Sequence, residues 1–353
     1  MNHPGLVRAV AVAAFSLCLG VVVLGAYVRL SNAGLGCPDW PGCYGHLTPV
    51  GAAADVRTAS APLAGRPLDV GKAWREMLHR YAAGTLGVLI VGLTAMGIAW
   101  RRERIVPPWF VSALLAIVVL QGMLGMLTVT WQLRPLIVSL HLLCGFTTLS
   151  LLWWLVMTLW RGPAGAQERA RARERPDAQQ TRGLRAARRL ALLGLVALSL
   201  QIALGGWTSS NYAAIACPDV PTCQGRWWPP ADFGSAFVLW HGAAVNYEGG
   251  VLDNPARTAI HLSHRAGAVA VSLVLLAAAI AALRGGENRA AAAASVVLLL
   301  LAVQLAIGIS MVLGGFPLWL ATAHNAGAAL LLLATLALNR SLRPSSAPPA
   351  FTG

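Results

Sequence analysis

Eight apolar runs, each long enough to cross a bilayer at roughly 20 residues per span, limit what this chain can become. They lie near residues 7–30, 77–100, 109–130, 136–160, 190–209, 257–283, 290–313 and 317–338. In hydrocarbon every backbone N–H and C=O must find its partner within the segment, so runs of this length predict helices. Only 11% of the residues are charged, against 57% apolar. That balance excludes a water-soluble enzyme, a disordered chain and a disulfide-dense secreted scaffold. The expectation is an all-α polytopic membrane protein. The first run is too long for the apolar core of a signal peptide and has a counterpart in the fifth, so it is read as a retained span.

The formal net charge of +14 would suit a nucleic-acid binder, but its distribution argues against one. Nine arginines fall between Arg161 and Arg189, in one stretch separating apolar runs. That is how a cytoplasmic loop looks. With the N-terminus inside, the inner segments also collect Arg8, Arg101, Arg102, Arg104, Arg284, Arg289, Arg340 and Arg343. The loop 31–76 is neutral, its Arg57, Arg66, Lys72 and Arg75 facing Asp39, Asp55, Asp69 and Glu76. The positive-inside rule therefore places both termini in the cytoplasm and the two long loops, 31–76 and about 210–256, outside.

The chain repeats. Shifted by 180 residues, Gly25, Ala33, Cys37, Pro38, Asp39, Pro41, Cys43 and Gly45 fall on Gly205, Ala213, Cys217, Pro218, Asp219, Pro221, Cys223 and Gly225. Shifted by 183, Gln121, Gly125 and His141 fall on Gln304, Gly308 and His324; shifted by 185, His79-Arg80 falls on His264-Arg265. Each repeat has four spans, an even number, so the halves share one orientation as parallel repeats about an axis along the membrane normal. The expected layout is an N-terminal four-helix bundle over 1–160, an Arg-rich cytoplasmic linker over 161–189, a C-terminal four-helix bundle over 190–340 and a tail over 341–353.

The residues that carry chemistry follow the repeat. Cys37/Cys43 and Cys217/Cys223 form C-x5-C pairs on the outer, oxidising side, where disulfides persist. They read either as staples on each loop or as redox-active pairs. Cys18 and Cys144 lie within spans and read as packing residues. Ionisable residues inside spans mark function, and His79, His141, His264 and His324 occupy repeat-equivalent spans. By the run boundaries, His79 sits about three residues into its span, His141 about six, and His264 and His324 about eight. Two imidazoles at similar depth on different helices of one bundle are how a bundle holds a haem iron. Arg80 and Arg265 each follow a histidine and read as haem-propionate partners or as snorkelling arginines. Glu76-Met-Leu-His79 in the first half becomes His261-Leu-Ser-His264 in the second. Residues three apart share a helix face, so Glu76 stands one turn from an imidazole, placed for acid–base work or for pairing with Arg75 or Arg80. His261 competes with His264 as a ligand, and the repeat alignment favours His264.

These residues resemble the haem A synthase family. The similarity rests on GAYVRLSNAGLGCPDWPGC (Gly25–Cys43), EMLHR (Glu76–Arg80), QGMLGMLTV (Gln121–Val129) followed by His141, His264-Arg265, and TAHN (Thr322–Asn325). It covers all eight spans and is more specific in the first half; the linker and the tail carry no family signal. The resemblance implies oxidation of the C8 methyl of haem O to a formyl group, giving haem A for terminal oxidases. It implies haem B as cofactor, held by His264 and His324, and haem O as substrate, bound by His79 and His141 in the first half. Glu76 matches the family's functional glutamate, and Cys37 and Cys43 match its first-loop cysteine pair, which some members lack. Membrane lipid, haem O synthase and an electron acceptor such as a quinone are the implied partners, and a cell inner membrane the implied location.

Three other readings fit part of this pattern. A dihaem b-type electron carrier explains the four histidines but not Glu76 or the asymmetry of the halves. A quinone-linked thiol oxidase explains the outer cysteines but needs no buried histidines. A haem chaperone would bind without catalysis.

Overall fold

The computed structural model describes residues 3–51, 69–160, 178–242, 245–285 and 288–343. Eight long helices account for most of it: α1 (His3–Leu30), α2 (Val70–Ala99), α3 (Pro108–Thr130), α4 (Pro135–Leu159), α5 (Ala178–Ser210), α6 (Asn254–Arg284), α7 (Asn288–Leu313) and α8 (Leu318–Ser341). Each is long and apolar enough to cross a membrane, and the chain is a multi-pass membrane protein. Among the described residues there is no strand; Cys43 and Cys223 each make one isolated bridge, to His46 and Arg226. Asp55, Arg57 and Arg66 of the first loop, the linker as far as 177 and the tail from 344 lie outside the described residues.

The helices begin where local chemistry lets them. The Asp69 side chain accepts the Lys72 N–H (2.9 Å) at the head of α2, and Asp253 accepts the Ala256 N–H (3.0 Å) at the head of α6. Such caps satisfy donors the first turn leaves open. Pro108 and Pro135 open α3 and α4, where a missing N–H costs nothing. Two starts differ from the apolar-run boundaries. α2 begins at Val70, about two turns before residue 77, because Lys72, Arg75 and Glu76 interrupt the apolar pattern without interrupting the backbone ladder. α5 begins at Ala178, inside the stretch expected as linker.

These extensions bring the histidines to matching depths. His79 is the tenth residue of α2 and His264 the eleventh of α6; His141 and His324 are each the seventh of their helices. Packing partners match too. α1 packs on α2 and α4, and α3 on α2 and α4; α5 packs on α6 and α8, and α7 on α6 and α8. Across the halves α8 meets α1 and α4, and α4 meets α5.

The half of the molecule away from the disulfide loops is an apolar core. Val7, Ala11, Ala14 and Cys18 form one buried stripe along α1, and Ala187, Ala191, Leu198 and Ile202 form its counterpart on α5. Small residues let helix backbones approach closely, the chief source of cohesion between helices in lipid. Large apolar side chains such as Val88, Leu200 and Leu299 point outward, as they must on a surface facing hydrocarbon. Polar clasps close the seam between halves at this end. The Arg340 guanidinium donates to the Thr158 Oγ1 (3.0 Å) and the Met157 carbonyl (3.1 Å), and lies 4.7 Å from the centroid of the Trp154 ring. The Trp153 Nε1 donates to the Leu333 carbonyl (3.1 Å).

On the opposite side the two loops are built alike. Disulfides join Cys37 to Cys43 and Cys217 to Cys223. Inside each ring an aspartate ties the turn: Asp39 accepts the N–H groups of Tyr44 (2.6 Å) and Gly45 (2.8 Å), and Asp219 those of Gln224 (2.6 Å) and Gly225 (3.0 Å). The Asp219 carboxylate also accepts the Thr222 hydroxyl, and that bond, with the amides, holds its pKa below the usual carboxylate range.

Two tests follow. Arg340 is buried, so Arg340→Gln takes the donor from the Met157 carbonyl and the Thr158 hydroxyl and should cost about 1–3 kcal/mol, read as a lowered Tm of the purified protein. Arg343→Gln, on an exposed side chain, should change stability by no more than about 0.5 kcal/mol. For Asp219 the sign is set by its lowered pKa. The stabilisation is present above the ordinary carboxylate value near about 4 and disappears only as pH falls through the lower folded value. Amide exchange at Gln224 and Gly225 should stay slow through pH ~4 in the native protein; in Asp219→Asn that acid limb should vanish.

Candidate functional site

A cavity of about 820 Å³ opens at the disulfide-loop end of the first four helices. Its size lies within the about 300–1,000 Å³ usual for small-molecule sites. Glu76, His79 and Arg80 of α2, Gln121 of α3, His141 of α4 and Gly25 and Arg29 of α1 line it. So do Gly206 and Ser209 of α5 and Asn325 of α8, so the second half completes the wall of a cavity in the first. Tyr81, Gly84 and Thr85 of α2 and Gly122 of α3 line it and are themselves exposed. These four residues form the exposed edge of the cavity.

Sequence reasoning paired His79 with His141, and both line this one cavity. Each imidazole has a buried Nδ1 without a hydrogen-bond partner. An unpaired buried polar atom carries a desolvation cost that a bound ligand relieves. Glycine makes room for each ring: a Cβ built on Gly25 would lie 2.9 Å from the His79 Cε1, and one on Gly125 3.2 Å from the His141 Cε1. Any larger residue would push the imidazole aside. Gln121 adds a contact, its Nε2 3.4 Å from the His141 Nε2.

The same devices recur in the second half. A Cβ on Gly205 would lie 3.2 Å from the His264 Cε1, and one on Gly308 3.1 Å from the His324 Cε1. Gln201 Nε2 approaches the His264 Nδ1 (3.0 Å) and donates to its carbonyl (2.8 Å); Gln304 Nε2 lies 3.3 Å from both ring nitrogens of His324. Val21 stands in α1 where Gln201 stands in α5. It is His264 rather than His261 that occupies the glycine cradle. His261 lies one turn outward, buried, with its ring edge-on to Phe316. The cradle fits a ring held at a fixed angle, as axial ligation requires.

Glu76 is buried, and both carboxylate oxygens are engaged. Oε2 accepts the Cys37 N–H (2.9 Å), and Oε1 pairs with the Arg80 guanidinium. Arg80 Nη1 also donates to the carbonyls of Asp39 (2.8 Å), Pro41 (3.3 Å) and Gly42 (2.6 Å). The disulfide loop, the arginine and the glutamate therefore form one clasp at the cavity mouth. Arg75 takes no part in it; its Nε donates to Gly71 one turn back. Arg265 makes the matching clasp in the second half, donating to the carbonyls of Thr222, Cys217 and Asp219, with His261 standing in place of the glutamate. Cys18 faces the first cavity, and the Cys144 Sγ donates to the Ile117 carbonyl.

Sequence reasoning passed over the glycine cradles as site elements, the three glutamines and Arg29. A signal was present: Gln121, Gly125 and His141 shift together onto Gln304, Gly308 and His324, and residues that move as a set belong to one site. The share taken by Gly206, Ser209 and Asn325 depends on how two bundles dock, which no spacing within one helix encodes.

Known proteins share this arrangement of sequence. A protein named "Heme A synthase" from Shewanella oneidensis is 40% identical over 319 residues, covering 90% of this chain and 91% of its own length. Proteins of the same name from Rhizorhabdus wittichii and Caulobacter vibrioides are each 28% identical, covering 91% and 93% of this chain and 89% and 94% of their own. The family profile described as "Cytochrome oxidase assembly protein" matches residues 8–336, nearly the whole span from α1 to α8, and the chain belongs to that COX15-CtaA family.

Proposed function

We propose that this chain is a haem A synthase, an oxidoreductase that converts the C8 methyl of haem O to a formyl group. One observation carries the reading. In a chain 40% identical to a protein named "Heme A synthase", two imidazoles, each with a buried Nδ1 that has no partner, and a buried carboxylate line a single cavity. A carrier of electrons alone has no use for the carboxylate. The reading takes the chain as two parallel four-helix repeats, 1–160 for substrate and 190–340 for haem B. It sits in a cell inner membrane with both termini cytoplasmic and the disulfide loops outside. Haem O synthase and a quinone-type electron acceptor are its proposed partners.

In this reading His79 and His141 hold the iron of the substrate, and His264 and His324 hold haem B. The glycine cradles and glutamines support those assignments by fixing ring orientation. Haem B supplies one-electron transfer. The overall chemistry needs two oxidations. A methyl and water give an alcohol, two electrons and two protons; the alcohol and a second water give a hydrated aldehyde, two electrons and two protons; loss of water leaves the formyl group. Glu76 takes a proton as the methyl carbon is oxidised, while Cys37 N–H and Arg80 hold its carboxylate toward the cavity. Arg80 and Arg265 were the candidate propionate partners; Arg80 is already paired with Glu76 and the loop carbonyls, and Arg265 is taken up by the matching carbonyls of the second loop. Removing Arg80 would strip a buried carboxylate of its partner, a costly loss.

The glutamate decides the enzymatic claim. Glu76→Gln keeps size and hydrogen bonding but cannot take up a proton at neutral pH. It should retain bound haem B, while haem A, read by pigment extraction and chromatography, falls by about 10²-fold or more. Near-normal haem A at equal protein level would retire the catalytic role. For the ligands, His264→Ala or His324→Ala should abolish the low-spin haem B spectrum and His261→Ala should keep it; the reverse pattern would shift the ligand by one turn. For orientation, a cysteine reporter at Asp232 should react from the outer face and one at Arg175 only after permeabilisation.

A further inference from the structure

Haem O carries two carboxylates, and the cavity proposed to receive it is mostly apolar. Three lining residues are charged: Arg29, Glu76 and Arg80. Glu76 and Arg80 neutralise each other, and the Arg80 Nη1 is taken up by three loop carbonyls. Arg29 is different. It is the penultimate residue of α1, at the outer end where α1 meets the second half. Its Nη2 donates to the Ser209 carbonyl (2.7 Å), and its guanidinium lies 4.3 Å from the Tyr212 ring centroid. Tyr212 in turn donates from its hydroxyl to the Asn32 side chain (3.2 Å). These contacts fix the plane of the guanidinium but leave its Nε buried with no partner. Glu248 lies within electrostatic reach but does not line the cavity. Arg134 and Arg257 also have a buried Nε without a partner, yet neither lines the cavity.

We infer that Arg29 is the carboxylate anchor of the first-half cavity, a specificity-determining residue that receives a propionate of the tetrapyrrole. An oriented guanidinium with a free donor in a low-dielectric wall is the preferred partner of a carboxylate. Position supports the role: a propionate at the outer end of α1 leaves the ring to lie between His79 and His141. Position also sets the anchor apart by half. The residue 180 positions on is Ser209, so the second half has no counterpart, and the anchor belongs to the substrate side alone.

The inference rests on the haem-substrate reading, and the test separates the two. The full-length protein in nanodiscs, its second half already occupied by haem B, is titrated with iron protoporphyrin IX and with its dimethyl ester, which lacks the carboxylates. Soret absorbance reports binding, and His79→Ala identifies the first-half component. The native protein should prefer the diacid by about tenfold or more. Arg29→Gln should erase that preference while leaving diester affinity unchanged, which also shows that the variant is folded; Arg29→Lys should restore part of it. An undiminished preference in Arg29→Gln, with His79-dependent binding intact, overturns the anchor alone. Equal loss of diacid and diester binding in both Arg29 variants overturns it too, making Arg29 a clasp between halves. Absence of any His79-dependent binding in the native protein sinks the substrate site and its anchor together.

Discussion

A neutral imidazole inside a membrane protein must be held at a chosen angle by contacts that lipid cannot provide, and this chain meets the requirement with absent side chains. Gly25, Gly125, Gly205 and Gly308 each stand against the Cε1 edge of one histidine, close enough that a methyl group would intrude. Rings confined in this way cannot swing to find polar partners elsewhere. The Nδ1 atoms of His79 and His141 are left buried without a partner. Much else serves to hold those four helix pairs at the required separation. The buried stripes on α1 and α5 pack the half away from the loops, and the arginine clasps brace the loops above the histidines.

The two clasps share a frame and differ in one group. In each, an arginine gathers carbonyls from a disulfide-closed turn whose aspartate ties down the backbone. In the first half this frame holds a carboxylate; in the second it stands beside an imidazole. Two clasps of like geometry thus differ in residue type at Glu76 against His261. The same logic applies at Arg29 against Ser209. The glycine cradles and the aspartate loop ties recur in both halves.

The spans were readable because they rest on local pattern, and the sharing of one cavity by His79 and His141 was signalled by their spacing. Length and apolarity define a span, and two histidines that recur in register with their neighbours define a pair. Helix starts were harder. Lys72, Arg75 and Glu76 hid two turns of α2 from any test based on apolarity, although Asp69 announced the start as a cap. That error made His79 look shallow, and it vanishes once the cap is taken as the boundary. Contacts across the seam were out of reach for a different reason. Whether Ser209 or Asn325 faces a neighbouring cavity depends on the rotation and docking of whole bundles, and a nearly uniform apolar surface leaves that rotation unmarked in the residue pattern.

The exposed edge of the cavity, where Tyr81, Gly84, Thr85 and Gly122 line it, bears on the search problem for a greasy, flat ligand. A molecule that dissolves poorly in water is already concentrated in the surrounding film, and diffusion there is confined to a plane. Passage sideways past such an edge would require no desolvation of the ring and no detour through either aqueous phase. Capture would then be governed by lateral mobility rather than by solubility.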